Sequence, residues 1–239
     1  MLPRALAGRL RRWLFVSGAA LTFHAAARAD DWTIHITVDN QYDVYFGDST
    51  STDFHAGGDT SWPTTETWTA LGRDPTDFLY VATASDHSVA QGFLAEFINT
   101  TQGVTIKTGD PDWDVFPAGA YLSLIDASWP DPWPPSLMPT QAQVDAAIAY
   151  ATANNLWTNT TTAAGYDNAS SPLPWGARPG IAGDADWIWY DTGLGPSSPY
   201  PAPFTGFNHD EFLVFRVPNI PEPAGAVLGL LGLLAVRRR

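Results

Sequence analysis

The sequence predicts an antiparallel β-sandwich, and three observations carry that prediction. Trp32, Ile34, Ile36 and Val38 alternate with Thr33, His35 and Thr37, the period-two pattern of a strand with one buried face. Short apolar runs recur at Phe78 to Ala84, Gly92 to Ile98, Ala120 to Ile125, Trp187 to Tyr190 and Glu211 to Val217. Turn-forming residues separate them, with 20 Gly and 20 Pro in 239 residues. That punctuation suits many short strands.

Taken in order, Trp32 to Val38 is the first strand, Asp39-Asn40 a turn, and Tyr42 to Phe46 a second strand ending at Gly47-Asp48. Ser85-Asp86-His87-Ser88 reads as the loop of a hairpin between the runs 78–84 and 92–98. One helix interrupts the strands near 141–154. Thr140 and Gln143 form a capping box, Val144, Ala147, Ile148 and Ala151 follow at helical spacing, and Asn154-Asn155 is the stop. It is expected across one edge or end of the sandwich. Residues 110–183 read as a Pro/Trp-rich insertion into a body spanning 30–217.

The composition removes several functions. Without cysteine there is no disulfide scaffold, thiol catalysis or Cys-ligated metal. With 45% hydrophobic and 13% aromatic residues, the chain can bury a sizeable core. Residues 30–220 hold four basic side chains (Arg73, Lys107, Arg178, Arg216) against 24 acids, a net of −20 over 191 residues. Such a body repels nucleic-acid phosphates, so no nucleic-acid partner is expected.

Basic residues instead gather at the ends. Arg4 to Arg12 followed by apolar Trp13 to Ala27 and the small residues of Ala27-Arg28-Ala29 make a three-part secretory signal over 1–29. It implies the Sec translocon and signal peptidase as partners. At the other end, Pro221-Glu222-Pro223 precedes an apolar stretch, 224–236, and the triplet Arg237-Arg238-Arg239. Thirteen apolar residues with three glycines are short for a bilayer span, and a terminal Arg cluster holds such a helix in the inner membrane.

That order of tripeptide, short Leu/Gly helix and Arg run over 218–239 resembles the PEP-CTERM sorting signal of Gram-negative bacteria that make exopolysaccharide. The resemblance implies that an exosortase-type membrane protease recognises Pro221, Glu222 and Pro223. It removes the tail and leaves the protein at the cell surface or in the extracellular matrix, after a transient inner-membrane stage. The sorting signal concerns location and leaves the activity of the body open.

The body itself is similar to a galactose-binding-like jelly roll. The residues carrying that likeness are the stretch Val38 to Phe46, the runs 78–84 and 92–97, and the closing pieces Pro174-Trp175-Gly176, Trp187-Ile188-Trp189 and Phe212 to Arg216. It departs at Phe46-Gly47-Asp48, where such domains often carry Asn-Gly, and in the insertion.

Ten tryptophans lie outside the signal segment. Trp113, Trp129, Trp133 and Trp175 sit in Pro- and Asp-rich sequence, where aromatic faces could stack on sugar rings, the alternative being packing beneath the insertion. Asp110, Asp112 and Asp114 suggest a Ca²⁺ site, against the alternative of a solvated acidic turn. The triplet is no EF-hand, since Val115 and Tyr121 replace the required Gly and Glu. Asp53, His55 and Asp59, and His209-Asp210-Glu211, read as surface loop. No G-x-S-x-G elbow or phosphate-binding loop occurs. Three readings follow: a non-catalytic matrix protein binding extracellular polysaccharide, an acidic structural surface protein without a ligand, and a secreted glycan hydrolase using acids such as Glu66 or Asp114. No enzyme is expected.

Overall fold

A computed structural model describes residues 29–86, 91–171, 175–190 and 212–218. The expected signal segment, the sorting tail with its apolar helix, and His209-Asp210-Glu211 lie outside these residues. Twelve strands form among those described: β1 (Asp30–Asp39), β2 (Gln41–Gly47), β3 (Thr52–Asp59), β4 (Glu66–Arg73), β5 (Phe78–Ala84), β6 (Gly92–Asn99), β7 (Val104–Lys107), β8 (Asp114–Phe116), β9 (Thr158–Asn159), β10 (Thr161–Asp167), β11 (Asp186–Trp189) and β12 (Phe212–Pro218). A single turn, α1 (Leu122–Ile125), and a longer helix, α2 (Gln141–Asn154), accompany them. No helix among the described residues is long and apolar enough to cross a membrane.

The strands pair antiparallel throughout, in two sheets. The first runs β10-β11-β6-β1-β4, with β7 beside β6, and the second β3-β2-β5-β12-β8-β9. The alternation seen in the sequence does its expected work in β1. Trp32, Ile34, Ile36 and Val38 point inward and meet Val44 and Phe46 of β2, Leu79 and Val81 of β5, and Leu213 and Phe215 of β12 in one core. Trp32 faces Phe46 at 6.0 Å and Phe93 faces Phe215 at 5.1 Å, which fixes the two sheets face to face.

β5 and β12 do not alternate, and the structure supplies the reason. Their other residues, Tyr80, Ala82, Ala84, Phe212 and Val214, enter a second core with Phe116, Leu122, Trp133, Val144, Ala147, Ile148 and Ala151. A strand buried on both faces has no polar side to display, so it reads as a continuous apolar run. Helix α2 therefore lies over the outer face of the second sheet, which corrects the expected position at an edge or end. Its expected cap is present. The Thr140 side chain accepts from the Gln143 N–H while the Thr140 N–H donates to Gln143 Oε1, and Asn155 closes the helix in the left-handed region.

Two further expectations are corrected. Ala120 to Ile125 is no strand: Ala118–Tyr121 forms a 3₁₀ turn that runs into α1, and Leu122 is buried in the second core. The runs 78–84 and 92–98 form no hairpin. β5 pairs with β2 and β12 in the second sheet, whereas β6 pairs with β1 in the first. The chain therefore changes sheet between β5 and β6, as it does at Asn40 between β1 and β2.

Candidate functional site

The chain changes sheet seven times among the described strands, three of them between β1 and β2, between β5 and β6, and between β11 and β12. These three passages share one end, because Asp39 pairs with Gly92, and Ala84 pairs with both Gln41 and Phe212. Apolar strand ends leave little polar surface there, yet Asp39, Gln41, Ser85 and Gln91 are all buried at this end. Buried polar groups need partners, and several are supplied. Gln91 Nε2 donates to Ser85 Oγ at 2.7 Å, and the Asp86 N–H donates to Asn40 Oδ1 at 3.3 Å.

Asp39 is the centre of this cluster. It is 5% exposed, and its Oδ2 accepts from Trp175 Nε1 at 2.8 Å. Burial pushes its carboxyl up from 3.8 to about 7, and the neighbouring charge of Asp86 pushes the same way, against the Trp175 hydrogen bond and the Arg178 charge. Arg178, 8% exposed, donates from Nη1 to Pro63 O at 2.6 Å, and its Nε has no partner. The same burial draws the Arg178 guanidinium down from its usual range. The Trp175 ring stacks on Trp187 at 4.2 Å, and a Cβ on Gly92 would lie 2.7–2.8 Å from both rings, so glycine is required beneath them. Chemically, the cluster can hold or release one proton near neutral pH.

The sequence-predicted residues lie elsewhere or serve other ends. Trp113 is 1% exposed, donates to Lys107 O at 2.8 Å and packs edge-on to Phe93 at 5.3 Å. Trp133 is fully buried against Phe212, with its indole N–H donating to Leu137 O. Together with Trp175, these rings are buried, as in the packing alternative that the sequence left open: in a three-layer body, Pro-rich sequence between strands is core lining. Trp129 is half-buried beside the second core.

The Asp triplet is not gathered into one site. Asp110 Oδ2 accepts from the Lys107 N–H at 2.7 Å, Asp114 Oδ2 pairs with Arg216 Nη2 at 3.0 Å, and Asp112 is exposed. The Lys107 N–H on Asp110 and the Arg216 guanidinium on Asp114 commit these carboxylates to different partners. No group of three His, Asp or Glu side chains among the described residues is placed to hold a metal ion. Asp53, His55 and Asp59 lie on β3 instead of in a loop, with His55 Nε2 2.8 Å from Asp43 Oδ1 and Asp53 3.7 Å from Arg73. Glu66 begins β4 and accepts from Thr64 Oγ1 at 2.8 Å.

Sequence reasoning missed Asp39 and Arg178. Asp39 looked like a turn residue because it precedes Asn40. Arg178 carried a usable signal as one of only four basic residues in the body, flanked by Gly176 and Gly180. No protein-family model matches the chain, and neither a curated protein nor a solved structure does.

Proposed function

We propose that this chain is an exported, non-catalytic surface or extracellular-matrix protein, delivered through its C-terminal sorting signal. The observation that carries the reading is the ordered tail: Pro221-Glu222-Pro223, the apolar stretch 224–236 and Arg237-Arg238-Arg239, opposite an N-terminal secretory signal. The partners it implies are the Sec translocon, signal peptidase and an exosortase-type protease.

We further read the body as a β-sandwich of the jelly-roll kind, similar to galactose-binding-like domains. Antiparallel pairing throughout and three inter-sheet passages at one end support it. A polysaccharide ligand draws less support, since the rings of Trp113, Trp133 and Trp175 are consumed by packing. Of the two non-catalytic readings, the acidic structural one is therefore preferred: net negative charge keeps such a protein soluble and its copies apart. Calcium, as a ligand of Asp110, Asp112 and Asp114, has no geometric support.

The test is processing in a host that carries the sorting protease. Glu222→Ala is expected to leave a membrane-held form larger than the wild-type product, by immunoblot of membrane and released fractions. Normal size and normal release of that variant would overturn the sorting claim.

A further inference from the structure

β4 closes one side of the first sheet. It pairs with β1, and no strand among the described residues lies on its other side. Which backbone groups face that open side follows from β1. The Asp31 carbonyl accepts from the Thr100 N–H at 2.8 Å and the Asp31 N–H donates to Thr101 Oγ1 at 3.0 Å, so Asp31 turns both groups away from β4. In an antiparallel ladder the two groups of a residue point the same way, and successive residues alternate. Trp32, Ile34 and Ile36 therefore bond to their partners Ala70, Trp68 and Glu66, and Thr67 and Thr69 turn N–H and C=O to the open side. The strand is held firmly from within. Trp68 Nε1 donates to Tyr42 Oη at 3.1 Å, and a Cβ on Gly57 of β3 would lie 2.3 Å from the Trp68 ring.

Proteins guard such edges with charge, bulges or brevity. The other edges among the described residues are guarded in those ways. β3 carries Asp53, His55, Asp59 and two breaks of register, and β10 has a break between Thr162 and Asp167. β7 has four residues ending in Lys107, and β9 has two. β4 carries no charge from Thr67 to Gly72, and its Leu71 is 65% exposed.

We propose that β4 is the contact of a two-fold dimer, in which the first sheets of two copies of this chain join edge to edge across Thr69.

A two-fold axis normal to the sheet runs the two strands antiparallel and keeps inward faces inward. Centred on Thr69, it sets Thr69 against Thr69, Thr67 against Leu71, and the large Trp68 against the small Ala70 of the second copy. Thr69 then exchanges both backbone hydrogen bonds with its counterpart. Charge favours this arrangement. Glu66 and Arg73 end the strand, so antiparallel pairing carries each Glu66 toward the end where the other copy has Arg73. The rest of the body, with four bases against 24 acids, repels a second copy, which leaves the uncharged edge as the place of approach. The two-fold consumes the edge in both copies, so assembly stops at two. One strand from each copy makes a contact of the small, reversible class.

The experiment is sedimentation velocity of the full chain across a wide range of protein concentration, at low and high salt. A concentration-dependent dimer is expected. Added salt should strengthen it, because it screens the acidic surfaces and leaves the uncharged pairing alone. Thr69→Lys sets two ammonium groups against each other across the axis and is expected to weaken association about tenfold or more. Thr69→Pro removes an N–H that β1 does not use and should do the same. Thr105→Lys, on β7, should leave association unchanged. The chain has no cysteine, so Thr69→Cys reports the register directly: paired strands bring the two Cα atoms to about 5.5 Å, within disulfide reach. It is expected to cross-link on mild oxidation, with Thr105→Cys remaining monomeric on a non-reducing gel. A wild-type monomer at every concentration, as when residues 191–211 of the same chain cover the edge, would overturn the proposal. So would a dimer that dissociates in salt, one that survives Thr69→Lys, as association through the apolar stretch 224–236 would, or equal cross-linking at positions 69 and 105. Should Thr69→Pro fail to fold, Thr69→Lys and the cross-link decide it.

Discussion

Aspartates work in two opposite ways here, and the difference sets how stability responds to pH. Asp48, Asp74, Asp126 and Asp167 each accept a backbone N–H and a hydroxyl from a Thr or Ser two or three residues on. Those hydrogen bonds hold their carboxyls below the ordinary range, so the stability they give is present near neutrality and lost as pH falls. Asp77 is the reverse. It is 7% exposed, its Oδ2 has no partner, and burial followed by the charges of Asp53 and Asp74 raises it to about 6. The folded state then binds a proton that the unfolded state has already released. Its contribution is full below the unfolded value of 3.8 and is lost as pH rises through about 6. Asp77→Asn is therefore expected to be more stable than wild type at pH 7, by on the order of 1 kcal/mol, and not at pH 4. Urea unfolding at the two pH values checks this, and equal midpoints at pH 7 would contradict it.

Elements were legible in proportion to how cleanly burial follows period. β1 alternates over Asp30 to Ile36, where its second face is only half-buried, and α2 is readable from its cap and its i, i+3, i+4, i+7 spacing, all four apolar positions being buried. β4 also alternates, with Trp68 and Ala70 less exposed than Thr67, Thr69 and Leu71, so its signal is present in the sequence. β3 was hidden by Gly57, Gly58 and the polar residues of a half-exposed edge, since strand preference records packing more than backbone. In Ala120 to Ile125 the apolar residues Tyr121, Leu122, Leu124 and Ile125 do not follow period two, and the segment turns helically against Phe116. Because α2 seals the second core, its cap is a stability device. Thr140→Ala is expected to cost about 1 kcal/mol, read as a lowered urea midpoint with an unchanged slope. Thr140→Ser should recover most of it. No change on Thr140→Ala would show that packing of Val144 and Ile148 alone holds the helix.

At the scale of the whole molecule, the pattern of layers explains why the candidate site was harder to read than the fold. A sequence shows that a tryptophan sits between prolines; it does not show that a third layer closes over it. Trp133 lies under that layer, between the second sheet and α2, and Trp113 and Trp175 line the first core. Asp39 acquires its environment from segments more than 130 positions away, with |i−j| of 136 to Trp175, so no local motif could announce it. The same layering decides between the two non-catalytic readings of the body. If the aromatic residues serve the core, Trp113→Ala should destabilise by about 3–5 kcal/mol through the lost ring and the cavity left behind, with Trp129→Ala costing far less. The full chain should then show no saturable binding to neutral or acidic polysaccharides, with or without calcium. Saturable binding that Trp129→Ala removes, with the melting temperature unchanged, would instead place the ligand at the half-exposed rim of the second core. In that case the body is a glycan-binding module whose contact residues are few and peripheral, and the buried tryptophans are its scaffold.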